Sequence, residues 1–289
     1  MEVAIIGLGR MGLSLARALV GAGVSVSGCD VSLAARERAA GDGVRVADDL
    51  AGVASRSDVV ITSLPTVAAV RGVVFELGTL MRPGTLVVET STCAPAFGRE
   101  AVERLAARGV RFVDCPVSGK PPVMTMLIGG APGVLGGAEQ VLAAAVRTMV
   151  HLGKPGAGYG VKLLQQYIKY ARFLVAAEAL TFAESEGLDV PETVRALSAG
   201  TGALPGLATA EEHFLGDAAA VASHAPVTTI VKDLELARAM FHDAGFESPS
   251  FFALSEFFLA AGAVGLEERP YPEVIDLLSD FRFAKGEPC

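Results

Sequence analysis

A chain of 289 residues with a net charge of −8 and half of its residues hydrophobic is long enough for two medium domains, each with its own core. Its acidic balance (pI about 5.1) and lack of any basic run exclude bulk attraction to nucleic acid or to an anionic membrane, so an anionic ligand has to be met by a few local cations. Mean hydropathy is positive, at +0.47, yet no stretch reads as a bilayer span: the most apolar, Phe251 to Leu266, contains Glu256 and is too short.

In chain order, Val3-Ala4-Ile5-Ile6 reads as a buried strand and runs straight into Gly7-Leu8-Gly9-Arg10-Met11-Gly12. Apolar residues then recur at helical spacing (Leu13, Leu15, Ala16, Leu19, Val20). Strand, glycine turn and helix make the dinucleotide-binding arrangement. Gly7 allows the tight turn, Gly9 lets the backbone approach a pyrophosphate, and Gly12 lets the helix pack close to the strand, its N-terminus facing the phosphate charge. A second strand, Val24 to Cys29, ends at Asp30, near the distance expected for a ribose-binding carboxylate. A carboxylate there binds two ribose hydroxyls and repels a 2′-phosphate, which favours NAD over NADP. Arg36 and Arg38 lie a turn into the next element.

Further strands are expected, giving the set 2–6, 24–29, 44–46, 58–63, 85–89, 110–115, 125–129 and 148–152. Helices are expected near 11–21, 32–40, 66–75, 95–107 and 134–146. This alternation predicts βαβ units: an α/β chain whose residues 1–153 form a Rossmann-type domain with a mainly parallel sheet covered on both faces. After Gly153-Lys154-Pro155-Gly156-Ala157-Gly158 only helical patterns follow, near 160–187, 191–199, 204–215, 228–245, 250–263 and 271–281. Residues 154–289 are therefore expected to form an all-α C-terminal domain that starts with a long interdomain helix, roughly 40 Å at 1.5 Å per residue. Its apolar stripe reads as Leu164, Tyr167, Ile168, Ala171, Leu174 and Val175. The apolar run Phe251 to Leu259 fits either a core or an interface between copies.

No secretory signal is visible, since Glu2 stands where a cationic region belongs. The four cysteines (Cys29, Cys93, Cys115, Cys289) show neither metal nor disulfide-framework spacing and read as reduced thiols of a cytoplasmic protein. His151, His213, His224 and His242 show no ligand spacing, so no metal is expected.

Fold alone does not supply function. Lys162 lies in the first turns of the long helix and Gln166 four residues on, so both project from one face, which is expected to point away from the apolar stripe. The helix starts where two domains meet, a favoured place for a cleft. A lysine there can protonate an oxygen that gains negative charge as hydride reaches its carbon; an ordinary pKa of about 10.4 keeps the proton available. Its charge also stabilises the developing alkoxide. From spacing alone, a solvated surface lysine is the commoner outcome.

At these residues the chain resembles the β-hydroxyacid dehydrogenases, the group that contains 3-hydroxyisobutyrate dehydrogenase and tartronate semialdehyde reductase. The resemblance runs over nearly the whole chain, through six segments in the family's order: Gly7 to Gly12, Leu64-Pro65-Thr66, Ser91-Thr92-Cys93-Ala94-Pro95, Asp114-Cys115-Pro116-Val117-Ser118-Gly119, Gly156 to Lys162, and Lys232-Asp233-Leu234. It implies that Lys162 is the general acid or base and that Ser118 and the backbone at Gly119 hold the substrate carboxylate and hydroxyl. It further implies that Leu64 and Pro65 contact the cofactor, that Thr92 sits by the nicotinamide, that Lys232 closes over the cofactor and that Asp233 orients neighbouring groups. A carboxylate at a helix start interacting with the dipole is the competing account of Asp233. A homodimer or homotetramer built through the helical half is implied as well.

Three departures reshape the expected pocket. Gln165 and Gln166 replace a pair of asparagines, Lys120-Pro121-Pro122-Val123-Met124 replaces a longer run of small residues, and Ala225 replaces an aromatic residue. Lys120 adds a cation beside Ser118, which suggests a small substrate with an extra anionic group; an exposed loop lysine is the competing reading. The expected activity is NAD(P)-dependent hydride transfer to or from a short β-hydroxy acid. An imine reductase of related fold and a non-catalytic dinucleotide-binding module are the alternatives, and Lys162 argues against both.

Overall fold

A computed structural model describes residues 1–119 and 121–278. The chain divides into two compact units, Met1–Lys162 and Leu163–Cys289.

In the first unit, six strands, β1 (Val3–Ile6), β2 (Val26–Cys29), β3 (Arg45–Val46), β4 (Val59–Thr62), β5 (Leu86–Glu89) and β6 (Arg111–Asp114), form one sheet in the order β3-β2-β1-β4-β5-β6. Every neighbouring pair in it is parallel. The order reverses direction beside β1, and in open α/β sheets ligands bind outside the strands' carboxyl ends at such a switch point. Side chains alternate across the sheet. Val3, Ile5, Val59, Ile61, Leu86 and Val88 enter one core, packed by α1 (Arg10–Gly21) and α2 (Leu33–Gly41). Ala4, Ile6, Val60, Val87 and Phe112 enter the other, packed by α3 (Leu50–Ala54), α4 (Val67–Leu80) and α5 (Pro95–Ala106). Because both faces are buried, the strands read as unbroken apolar runs rather than alternating ones.

A second, three-stranded sheet follows, with β7 (Val117–Ser118) antiparallel to β8 (Thr125–Ile128), and β8 parallel to β9 (Thr148–His151). It joins the end of β6 through the N–H of Gly129, which donates to Asp114 O at 2.8 Å. The two-residue β7 and the five-residue α3 were not expected, being too short to show a period. The helix expected over 134–146 shrinks to α6 (Ala138–Leu142), because Gly136 takes a left-handed φ of 56° just before it.

Helix α7 (Ala157–Ser185) runs for 29 residues; its first turns belong to the first unit and the rest to the second. The second unit continues with α8 (Val190–Ala199), α9 (Pro205–Phe214), α10 (Ala218–Ala222), α11 (Val227–Asp243), α12 (Pro249–Ala261) and α13 (Ile275–Leu278). The last expected helix, 271–281, is a 3₁₀ turn, Tyr271–Val274, followed by α13, and its final residues lie outside those described.

The buried face of α7 corrects the expected stripe in part: Leu174 is buried in the core and Tyr167 and Ala171 pack against it, whereas Leu164, Ile168 and Val175 do not. Leu163, Gln166, Tyr170, Phe173, Ala177 and Leu180 face the core with Ile230 and Leu234 of α11 and Leu254 and Phe258 of α12. Leu164, Ile168 and Val175 are 41%, 52% and 59% exposed. The helix is apolar on two faces, so its period cannot choose between them; the face with Tyr170 and Phe173, which bury most area per residue, wins. Gln166 thus lies on the buried face rather than opposite it.

Helix α12 also differs from expectation. Pro249 begins it, Ser248 Oγ caps it by accepting the N–H of Phe251 at 3.3 Å, and a π-helical turn, Gly262–Leu266, extends it. The apolar helix therefore reaches 18 residues, Pro249–Leu266, with mean hydropathy 1.5. That is long enough by length and composition to count as a possible span, although Phe251, Leu254 and Phe258 are buried in the core of the second unit and Glu256 pairs with Arg238 at 2.8 Å. Phe252, on its other side, is exposed.

Candidate functional site

The glycine turn after β1 divides its labour between three positions. Gly7 has φ +90°, and a Cβ there would stand 2.1 Å from Ser63 O; a Cβ on Gly12 would stand 1.9 Å from Gly7 O. Both are fixed by close backbone approach. Gly9 is exposed, with nothing within 4 Å of where a Cβ would be. It caps α1 without a side-chain hydrogen bond, and the first turn carries no acid. The N–H groups at the start of α1, beginning with Arg10 and Met11, therefore present an open, partially positive helix end suited to a phosphate group. Leu8 is buried and contributes its backbone: its N–H donates to Asp30 Oδ2 at 2.6 Å. Asp30 Oδ1 accepts the N–H of Ser32 at 2.8 Å. Each carboxylate oxygen keeps a second lone pair for a hydroxyl. The Arg36 guanidinium is engaged by Asp48, through its carbonyl at 3.3 Å and its carboxylate at 3.1 Å. The residues present fit a dinucleotide.

Two further turns leave the carboxyl ends of β4 and β5. The N–H of Leu64 donates to Ser91 Oγ at 2.8 Å, and the N–H of Ser91 donates to Glu89 Oε1 at 2.9 Å. Pro65 is exposed, Thr66 caps α4, and Thr92 is half-buried. Glu89 is fully buried, and Tyr159 donates its hydroxyl to Glu89 Oε2 at 2.5 Å. Burial pushes the Glu89 carboxyl up and holds the Tyr159 phenol well above its ordinary range, the neighbouring Glu89 adding to the latter.

The start of α7 is moored by Asp114, at the end of β6. Its Oδ1 accepts the N–H of Gly156 at 2.8 Å and its Oδ2 that of Tyr159 at 3.1 Å. Gly156 has φ +83°, and a Cβ on it would meet Pro95 O at 2.3 Å. A Cβ on Gly129 would meet Asp114 Oδ1 at 2.0 Å. Burial pushes the Asp114 carboxyl up to about 6, against the pull of the backbone N–H groups that hydrogen-bond to it. Three residues beyond Tyr159, Lys162 is buried, at 9% exposure. Ser118 is half-buried at the end of β7, and Gly119 is exposed with φ +81°. Lys120 lies outside the described residues.

In the second unit, Gln166 Nε2 donates to Asp233 Oδ2 at 2.6 Å and to the Tyr170 hydroxyl at 2.8 Å. Asp233 is 2% exposed, and Lys232 Nζ lies 3.1 Å from its Oδ1. That oxygen accepts no hydrogen bond among the described residues; the lysine offsets its charge without hydrogen-bond alignment. Asp233 sits in the second turn of α11, not at its start, and accepts the Gln166 amide there. Gln165, the other glutamine, is exposed.

Sequence reasoning named Asp114 only within a matched segment and gave Glu89, Tyr159 and Tyr170 no role. A usable signal existed: Glu89 and Asp114 are charged residues that end apolar strands, and a buried charge needs partners. Among the described residues no group of three or more His, Cys, Asp or Glu could hold a metal ion.

The family model described as the NAD binding domain of 6-phosphogluconate dehydrogenase matches residues 2–153, and that described as NAD-binding of NADP-dependent 3-hydroxyisobutyrate dehydrogenase matches residues 156–278. L-threonate dehydrogenase of Cupriavidus necator is 30% identical over 274 residues, 91% of each chain. 2-(Hydroxymethyl)glutarate dehydrogenase of Eubacterium barkeri is 29% identical over 203 residues, 68% of this chain and 67% of its own. Among solved structures, Mycobacterium tuberculosis 3-hydroxyisobutyrate dehydrogenase with L-serine superposes with a TM-score of 0.86 at 27% identity, covering 96% of this chain and 98% of that one.

Proposed function

The chain belongs to the β-hydroxyacid dehydrogenase family and is an NAD(P)-dependent hydroxyacid dehydrogenase; from that premise we propose that Lys162 is its general acid–base and that it acts on a short anionic β-hydroxy acid. The observation that carries this reading is the placement of Lys162: a buried amine one turn beyond a helix start that Asp114 ties to the sheet. Surface lysines are seldom buried to this degree.

The loop Gly7 to Gly12 and Asp30 would hold the dinucleotide, with the Leu64-Pro65 and Thr92 turns beside it and Lys232 as a further contact. When bound, the cofactor accepts or donates the hydride. The engagement of Arg36 by Asp48 supports NAD, because that guanidinium is not offered to a 2′-phosphate. Lys162 holds the proton that moves to or from the substrate oxygen, and its charge stabilises that oxygen as an alkoxide. Ser118 and the N–H at Gly119 bind the carboxylate. Both Nε2 bonds of Gln166 go to protein partners, which leaves its carbonyl end to accept from a hydroxyl and fixes its direction. Pre-orientation of this kind can supply roughly 7–11 kcal/mol when the geometry is good. The sequence position of Lys120, two residues after Ser118, motivates a preference for a substrate with a second anionic group. The exposed Leu164, Ile168, Val175 and Phe182 of α7 support a homodimer or homotetramer formed through the helical unit.

A screen following NADH absorbance, run with NAD and NADP on L-threonate, 3-hydroxyisobutyrate, L-serine and the dianionic 2-(hydroxymethyl)glutarate, tests the substrate class. Lys162→Ala should lower kcat by about 10²-fold or more while NADH affinity barely changes. Collapse of cofactor affinity instead would overturn the assignment. Turnover of cyclic imines alone, or tight NAD binding with no turnover of any acid, would replace it with one of the competing readings.

A further inference from the structure

We infer that Glu89 and Tyr159 are positioning residues for Lys162: their buried hydrogen bond ties the first turn of α7 to the two turns that follow β4 and β5. The inference rests on the acid–base role proposed for Lys162 and adds to it the device that aims the amine.

Tyr159 is held at both ends. Its N–H donates to Asp114 Oδ2 at 3.1 Å and its hydroxyl to Glu89 Oε2 at 2.5 Å. A residue gripped through backbone and side-chain tip cannot rotate about the helix axis, and the residue three positions on shares its face. That residue is Lys162. The other oxygen of Glu89 accepts the N–H of Ser91 at 2.9 Å, and Ser91 Oγ accepts that of Leu64 at 2.8 Å. One carboxyl therefore links Leu64, Ser91 and the lysine helix, residues far apart in the chain.

A purely structural contact would not need these groups. Glu89 and Tyr159 are both fully buried, and Tyr159 packs in a cluster of Val60, Val70, Val87, Cys93 and Phe97. A phenylalanine against an apolar residue would fill such a cluster without burying a carboxyl and a phenol, and apolar replacements of buried polar pairs are often neutral or stabilising. What the polar pair adds is direction: a hydrogen bond fixes angle as well as distance.

The test compares Tyr159→Phe, Glu89→Ala and Glu89→Gln with the parent and with Lys162→Ala. Two readouts are used. The first is kcat and KM on the best acid of the screen described above. The second needs no substrate: the six lysines (Lys120, Lys154, Lys162, Lys169, Lys232, Lys285) are reductively ¹³C-dimethylated and their methyl signals recorded by NMR, with Lys162→Ala assigning one of them. We expect Tyr159→Phe to lower kcat on the order of 10- to 100-fold with KM for NAD changed less than about threefold, and to move the Lys162 signal. Glu89→Ala should do the same, and Glu89→Gln, whose amide oxygen can accept the Ser91 N–H while its NH2 donates to the Tyr159 hydroxyl, should recover most of that loss. An unmoved Lys162 signal in the folded Tyr159→Phe protein overturns the inference, as does a loss confined to KM for NAD or to melting temperature. If Lys162→Ala itself turns over normally, the acid–base role fails while the methyl signal still decides whether the pair places the amine.

Discussion

Replacing Asp114 by Asn should change how the stability of this protein depends on pH, in a direction set by the balance of two opposed effects. The carboxyl is fully buried, which favours its neutral form, and it accepts N–H groups from Gly156 and Tyr159, which favour its charged form. Burial prevails: the carboxyl is pushed from 3.8 up to about 6. Because the folded value lies above the unfolded one, the native protein binds this proton more tightly; the resulting stabilisation is complete below the unfolded value and lost as pH rises through the folded one. At 1.36 kcal/mol per unit, the displacement is worth about 3 kcal/mol. Asn does not titrate. It also offers one carbonyl where two N–H donors need acceptors, a penalty on the order of 1–3 kcal/mol that is the same at every pH. Urea unfolding of both proteins, followed by far-UV circular dichroism from about pH 4 to about pH 7, should therefore show the parent's advantage over Asp114→Asn shrinking by about 2.5 kcal/mol toward neutral pH. A constant difference would mean that the N–H bonds cancel burial, and an advantage that grows with pH would mean that they outweigh it. Either result refutes the reasoning.

Two more predictions concern the cofactor. A methyl on Gly9 meets open space and one on Gly12 meets Gly7 O at 1.9 Å; Gly9→Ala should keep its melting temperature and raise KM for NAD on the order of tenfold, whereas Gly12→Ala should lose about 2 kcal/mol or more of stability. A Gly9→Ala protein with the parent's KM for NAD would remove this loop from the cofactor site. Asp30→Ser removes the carboxylate that would repel a 2′-phosphate, so the NADP-to-NAD ratio of kcat/KM should rise on the order of tenfold; an unchanged ratio in the same spectrophotometric assay would deny Asp30 that role.

What was legible in the sequence was whatever repeats at a period or packs into a few consecutive residues. The run from Val3 to Gly12 shows strand, turn and helix at once, and the unbroken apolar strands announce a sheet covered on both faces. Less legible was anything decided by tertiary choice. Helix α7 carries apolar residues on two faces, and only the packing of Tyr170 and Phe173 against Tyr271 settles which is inside; Gln166 goes with them. The polar partners were hidden because they are distant in the chain. Glu89 meets Tyr159 across 70 positions and Asp114 meets Gly156 across 42, and no local pattern joins them. A five-residue helix such as α3 and a two-residue strand such as β7 leave no period to read.

The contact between Gly129 and Asp114 has a historical consequence. No other neighbour crowds Gly129 as closely as that carboxylate: the three atoms nearest to a Cβ there all belong to Asp114. The two positions should then drift as a couple among descendants of a common ancestor, alanine arising at the first only in lineages where the second has already shrunk. Gly158 stands apart, since Leu127 O as well as Asp114 bars a side chain from it, and its identity should outlast the loss of the acid.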